Sequence, residues 1–363
     1  MNRQKNSKLP YLAVTAVFFA LCAFFSLGML LPGGTDAADG GEIPRLVTED
    51  GLSPTWRDDF ETWFSGHFAF RDTLVDAFSA IKERLFYTGN DKVIVGEDGF
   101  LFFADTLACY TGTDPMTDEE LTAAADALRA LSDYAAERGA RFVFLCAPNK
   151  NTVYGDKMPA TVPRASAPSD LDRLLPLLAE RGVTAADVRG LLRDAAGSVT
   201  VYHRRDTHWN AEGARIAAAA VLEAAGEEVP AWLKDPLTTL THDFIGDLDA
   251  QLYPKRTRYD DNFAPNREPS FSYEGNYKTP MDMSVNTVNE RASGSVLMFR
   301  DSFANALIPF FGELYGAASF SRANPYRIDR LEENGADLVV VEIAERNLRD
   351  LIAAAARIAE TGD

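Results

Sequence analysis

Short apolar runs alternate with longer amphipathic segments along most of this chain, and that alternation restricts the fold more than any other feature. Arg141–Ala147, closed by Pro148, reads as a strand, as do Ser295–Phe299 and Leu338–Ile343. Ser198–His203 is a further strand candidate, and a shorter one lies around Val183–Val188. Between them, Thr117-Asp118-Glu119-Glu120 is a capping box that opens an amphipathic helix ending at Gly139. A second helix is expected near Ser169–Arg181, and Asn210 is placed to cap an alanine-rich helix running to about Ala225. Further helices are expected from Phe303 and after Ile343. Strands and helices in this order predict an α/β fold whose mostly parallel sheet is covered on both faces.

The N-terminal segment follows different rules. Arg3, Lys5 and Lys8 precede an uncharged run from Tyr11 to Leu31, which Pro32-Gly33-Gly34 ends. About 20 apolar residues cross a bilayer as a helix, and a basic flank stays in the cytoplasm. The expected organisation is a cytoplasmic N-terminus (1–10), a single-pass transmembrane anchor (11–31), a linker (32–52) and an extracytoplasmic domain (53–363). A cleaved signal peptide fits less well, because its apolar core is usually shorter. Within the domain, Trp56, Phe60, Phe64 and His67 share a helical face, and Gly96-Glu97-Asp98-Gly99 joins two β-type runs as a hairpin. From 230 to 291 periodicity fades among scattered aromatics, so this stretch reads as a long insertion with some structure of its own.

A formal charge of −18 excludes nucleic acid as a partner, since no surplus of Lys and Arg exists to neutralise phosphates. Cys109 and Cys146 can pair in an oxidising compartment, or serve as two separate small buried hydrophobes. Asp243, Asp247 and Asp249 lack the regular spacing of a calcium loop, and His67, His203 and His242 have no convincing ligand partners. No metal or cofactor is assigned.

The candidate chemistry lies in Asp206-Thr207-His208-Trp209-Asn210 and in Phe299-Arg300-Asp301-Ser302-Phe303. Both segments follow strand candidates and precede helices, the sheet edge where functional groups gather. A carboxylate two residues before a histidine can orient the imidazole, which can then activate a serine on a strand-to-helix turn. Backbone N–H groups at that helix start would be open to an oxyanion. The helix after His208 should disfavour the imidazolium while Asp206 favours it. The bland readings are a serine that merely caps a helix and an Asp-x-His that is a surface hydrogen bond.

The two segments together resemble the SGNH-hydrolase-like family of alginate and exopolysaccharide O-acetyltransferases, the AlgJ- and AlgX-like proteins with the related DHHW group. Phe60–Arg71, Gly96–Phe102, Pro148-Asn149-Lys150 with Tyr154, and Val341–Leu348 agree with that pattern, so the resemblance runs from about residue 55 to 350. It implies Ser302 as nucleophile, His208 as base and Asp206 as its orienting partner. Lys150, Tyr154, Trp209 and Arg300 are candidate substrate-binding residues, with a structural role the equal alternative for Lys150 and Tyr154, which follow strand 141–147. Arg300 stands where a glycine is common before Asp-Ser, and the expected arrangement is the AlgJ-like one, without a C-terminal carbohydrate-binding module. Arg204, Arg205 and Arg300 would form a positive rim for an anionic sugar or be ordinary solvated arginines. The aromatics of 230–291 would stack on sugar rings or pack a small core. The implied function is a membrane-anchored O-acetyltransferase that works through an acyl-serine. It would serve a polysaccharide acceptor, and a membrane-bound O-acyltransferase would deliver the acetyl group. A carbohydrate esterase with the same triad and a non-enzymatic scaffold are the alternatives.

Overall fold

The computed structural model describes residues 9–29, 42–49, 51–83, 89–255, 258–265 and 267–354. The expectations for 1–8, for 30–41 and for the last helix beyond 354 lie outside the described residues. The chain divides into two compact units, one of residues 1–86 with 252–257 and one of 87–251 with 258–363. Residues 53–83 fall in the first of these units.

In the first unit, α1 (Leu9–Gly28) carries the apolar run, with a mean hydropathy of 2.1 over Tyr11–Gly28 and only 6% of that stretch buried. Twenty helical residues reach about 30 Å, the thickness of a bilayer's hydrocarbon core. Part of the expected linker is ordered, because β1 (Val47–Thr48) and β2 (Gly51–Leu52) pair as a small antiparallel hairpin. Two short helices follow, α2 (Trp56–His67) and α3 (Arg71–Ile81), joined through Phe70 in the left-handed region at φ 57°.

The second unit opens with the expected hairpin, β3 (Val93–Val95) against β4 (Leu101–Phe103), then α4 (Leu107–Thr111) and α5 (Asp118–Glu137). Thr117 and Glu120 form the complete capping box of α5. After β5 (Arg141–Ala147) come α6 (Lys150–Val153), α7 (Asp170–Glu180), β6 (Ala185–Ala186), α8 (Arg189–Ala196) and α9 (Ala211–Ala224). The 230–291 stretch holds α10 (Ala231–Lys234), β7 (Thr239–Ile245), α11 (Asp247–Leu252), β8 (Tyr259–Ala264), β9 (Ser272–Glu274) and β10 (Ser284–Val288). The remainder is β11 (Ser295–Phe299), α12 (Ile308–Leu314), β12 (Ala317–Ser321), α13 (Arg330–Asn334), β13 (Leu338–Ala344) and α14 (Leu351–Ala354).

One seven-stranded sheet runs in the order β6-β5-β13-β11-β12-β10-β9. The first five strands are parallel, and β10 is antiparallel to both β12 and β9. Side chains of β5 alternate between two cores, as the two-residue period of a strand requires. Val143, Leu145 and Ala147 pack with Ala214, Ala217 and Val221 of α9, whereas Phe142, Phe144 and Cys146 pack with Leu128 of α5 and Leu174 of α7.

One expectation fails here. Ser198–His203 is not a sheet strand: it makes only an isolated bridge, Tyr202 to Trp209, and packs as a loop beneath α9. Within the 230–291 stretch β7–β8 forms a hairpin of its own, while β9 and β10 extend the main sheet. Cys109 and Cys146 are separate thiols.

Asn210 caps α9 by accepting from Gly213 N at 3.0 Å, while its Nδ2 donates to Thr200 O at 2.5 Å. Asn210→Ala should cost about 1–2 kcal/mol, read as a lower urea midpoint at unchanged m-value. An unchanged midpoint would contradict the cap's role.

Candidate active site

Parallel register sets the ends of β5, β13 and β11 along one edge, with Phe299 opposite Val341 and Ala344 opposite Ala147. Ser302 stands three residues beyond β11, at the start of a 3-10 turn over Phe303–Ala306. Its hydroxyl makes no capping bond to that turn. Instead Ser302 Oγ lies 2.8 Å from His208 Nε2, and His208 Nδ1 lies 2.8 Å from Asp206 Oδ1. His208 and Ser302, 94 positions apart in sequence, thus join Asp206 in one unbroken hydrogen-bond path, and neither bland reading describes them.

The turn bearing Ser302 is held by Asp301. Its N–H donates to Glu342 Oε2 at 3.0 Å, and its carboxylate accepts from Phe303 N at 2.9 Å and Ala344 N at 2.7 Å. The Phe303 N–H, expected to be open to an oxyanion, is thus taken by Asp301. Arg300 is not among the residues with positive φ, so the turn does not require glycine at that position.

The loop bearing Asp206 and His208 has little regular structure, and buried charges hold it. Lys150 Nζ donates to the carbonyls of His203, Arg204 and Asp206 at 3.0, 3.0 and 2.5 Å. Burial pulls its pKa down to about 7, against the charges of Asp206, Asp247 and Asp260. Tyr154 Oη accepts from Val201 N at 3.0 Å. Both side chains are buried and bond backbone groups, which is the structural alternative to substrate contact. Trp209 is also buried and donates from Nε1 to Phe303 O at 2.8 Å, joining the histidine loop to the serine turn.

The expectation for Arg300 is corrected. It is buried, and its guanidinium donates to Asn305 Oδ1 at 2.5 Å and Pro280 O at 2.7 Å. Arg205 is buried against Asp249 at 2.5 Å, so of the proposed positive rim only Arg204 remains exposed. Sequence gave no sign of these partners, because each lies at least 20 residues from its arginine or within a turn.

Electrostatics distinguish the two acids near the imidazole. Burial disfavours the charge on Asp206, but bonds from the His208 ring, His208 N and Asp247 N outweigh it and hold its carboxyl well below the usual range. Burial would lower the His208 pKa too; the bond and charge of Asp206, with the charge of Asp247, outweigh that and raise it. Asp247 sits 3.8 Å from His208 Nδ1 and accepts from Thr207 N at 2.7 Å. Burial and the Asp206 charge raise its own pKa. Asp206, His208 and Asp247 offer atoms within 4.8 Å of one another, a spacing that suits a cation. However, Nδ1 is bound to Asp206 and Nε2 to Ser302.

A family model for the SGNH hydrolase-like domain of the acetyltransferase AlgX matches residues 93–307, more than half of the chain. The chain belongs to this AlgX-type SGNH hydrolase-like family. The probable alginate O-acetylase AlgJ of Pseudomonas putida is 27% identical over 169 residues, which are 46% of this chain and 43% of that protein. Its Pseudomonas aeruginosa counterpart is 26% identical over 168 residues, 44% and 39% of the two chains. The alignments thus span less than half the length of these curated relatives. The structure of Bacillus cereus PatB1 superposes with a TM-score of 0.55 at 16% identity, over 71% of this chain and 97% of that one, so the fold is shared.

In this family member a cleft of about 350 Å³ opens onto Ser302 and His208. Phe244, Asn262, Phe263 and Pro265, all from the 230–291 stretch, line it together with Phe303 and Phe310. Phe244 itself stacks on His203 at 3.7 Å between ring centroids, and Phe303 lies 4.9 Å from the His208 ring. The insertion therefore reaches the site, with one of its aromatics already covered by a neighbouring ring.

The two carboxylates generate a pH prediction. Negative charge beside His208 favours the imidazolium, so removing one charge lowers its pKa and leaves the neutral base available at lower pH. Asp247→Asn should shift the acidic limb of the kcat/KM profile downward and leave the plateau largely intact. A limb that stays or rises would show that Asp247 does not act on the imidazole.

Proposed function

We propose that this protein is an extracytoplasmic polysaccharide O-acetyltransferase, tethered by α1 and working through an acetyl ester on Ser302. The reading rests chiefly on the unbroken path from Asp206 through His208 to Ser302, whose hydroxyl no helix cap occupies. Membership of the AlgX-type family and the alginate O-acetylase names of its relatives support the acetyl chemistry and the polysaccharide acceptor.

In the first half-reaction Ser302 Oγ attacks the acetyl carbonyl carbon while its proton passes to His208 Nε2. The tetrahedral adduct collapses, the donor's leaving group departs with that proton, and Ser302 keeps the acetyl group. A sugar hydroxyl then gives its proton to His208, and its oxygen attacks the ester carbonyl. Ser302 Oγ leaves and recovers the proton, and the acetyl group ends on the sugar. Asp206, ionised throughout, holds the proton on Nδ1 and stabilises the transient imidazolium. No metal or organic cofactor enters the scheme. The donor partner is a membrane-bound O-acyltransferase, and the N-terminal helix would keep the site beside it on the outer side of the membrane.

The full-length protein in detergent, given an activated acetyl ester and a uronate oligosaccharide, should yield acetylated sugar. Ser302→Ala should reduce that yield by roughly 10⁴–10⁶-fold with its circular dichroism unchanged. Retained sugar acetylation in that variant would sink the proposal, and release of free acetate alone by the unsubstituted protein would make it an esterase.

A further inference from the structure

The outer polarity of α3 is reversed relative to a helix folded in water. Leu74, Phe78 and Ile81, spaced as i, i+4 and i+7, form one face and are 42%, 62% and 52% exposed. The polar Asp76 and Ser79 are the residues that α3 buries, and Asp76 accepts from the Lys255 backbone at 3.3 Å. Helix α2 buries no residue completely; its aromatics stack along one side, with Trp56 to Phe60 at 5.1 Å, Phe60 to Phe64 at 6.0 Å, and Phe64 40% exposed.

The corner between these helices abuts the last turn of α1. Phe24 stacks on Phe70 at 5.5 Å, and Phe25 packs on Phe68 at 5.0 Å. Gly28 permits the approach, because a Cβ there would lie 2.9 Å from both Ala69 Cβ and the Phe70 ring. With the basic N-terminal flank inside, this end of α1 is the outer one. The corner is then level with the lipid headgroups.

We infer that α2 and α3 lie in the outer membrane interface, with the Leu74–Phe78–Ile81 stripe against the headgroup–acyl boundary. The inference rests on the reading of α1 as a membrane span. Such an interfacial segment keeps a polar face on one side and buries apolar and aromatic side chains a short way into the lipid. Here α2 and α3 carry Asp58, Asp59, Glu61, Asp72 and Asp76 against only Arg57 and Arg71, so the contact is apolar and does not depend on anionic lipid. Continuity with α1 and the reversed polarity of α3 favour lipid over a second protein as the occupant.

Depth-resolved tryptophan quenching tests this. Full-length Phe78→Trp and Leu21→Trp variants are placed in phosphatidylcholine vesicles whose acyl chains carry bromine either near the headgroup or near the chain end. The unsubstituted chain supplies the background of its four tryptophans. The added fluorescence of Phe78→Trp should be lost mainly to shallow bromines, and that of Leu21→Trp mainly to deep ones. Quenching of Leu21→Trp alone would overturn the interfacial placement and leave the span intact. Quenching of neither would remove both. Protection of Phe78→Trp from aqueous acrylamide without bromine quenching would mean that protein covers the stripe, which also overturns the inference.

Discussion

The in-register parallel pairing of β5, β13 and β11 is the constraint on which the site depends. It brings the ends of β5 and β13 level and stops β11 three residues short of them, so that Lys150, the 342–344 segment and the Asp301-Ser302 turn occupy one edge of the sheet. Strand pairing stops there, and a second class of interaction takes over. A lysine ammonium surrounded by three carbonyls holds the histidine loop, and the Asp301 carboxylate, bonded to two backbone amides, holds the serine turn. The Trp209–Phe303 bond then ties loop to turn. Precise loop geometry at such a site comes from buried polar groups that are satisfied, since a missing partner costs the full desolvation of the group left behind.

Much of this architecture was legible in the residues. Arg141–Ala147 was found with its bounds intact because glycine and proline close it and every interior residue is apolar. The capping box at Thr117–Glu120 and the Asn210 cap were legible because they are local patterns. Ser198–His203 was misread for the converse reason: Val199 and Val201 imitate a strand, yet their burial comes from α9 packing over a loop. The polar β9 and β10 are not legible as strands because β9, at the sheet edge, buries no side chain and β10, beside it, buries only Val285 and Thr287.

The site shows the same division. Asp206, His208 and Ser302 were identifiable from residue type and spacing, and the geometry brings them together. The neighbours were harder, because a charged side chain does not reveal its partner in sequence. Lys150, Tyr154 and Arg300 are buried against backbone and side-chain partners, whereas Trp209, also buried, lines the cleft beside Ser302 and His208. Asp247 was considered only as a poor calcium ligand, and its place beside His208 depends on α11 folding back across about 40 residues. Asp301 and Glu342 were signalled only by standing inside motif segments.

The account centres on an acetyl group carried by Ser302 Oγ. It is tested most directly by brief exposure of the protein to an activated acetyl ester, an acid quench, and mapping of acetylated peptides by mass spectrometry. The predicted result is acetyl-Ser302 in the unsubstituted protein, its disappearance on adding a competent oligosaccharide, and no adduct in His208→Ala. Sugar acetylation that proceeds with Ser302 unmodified, or with the acetyl group on another residue, would contradict it.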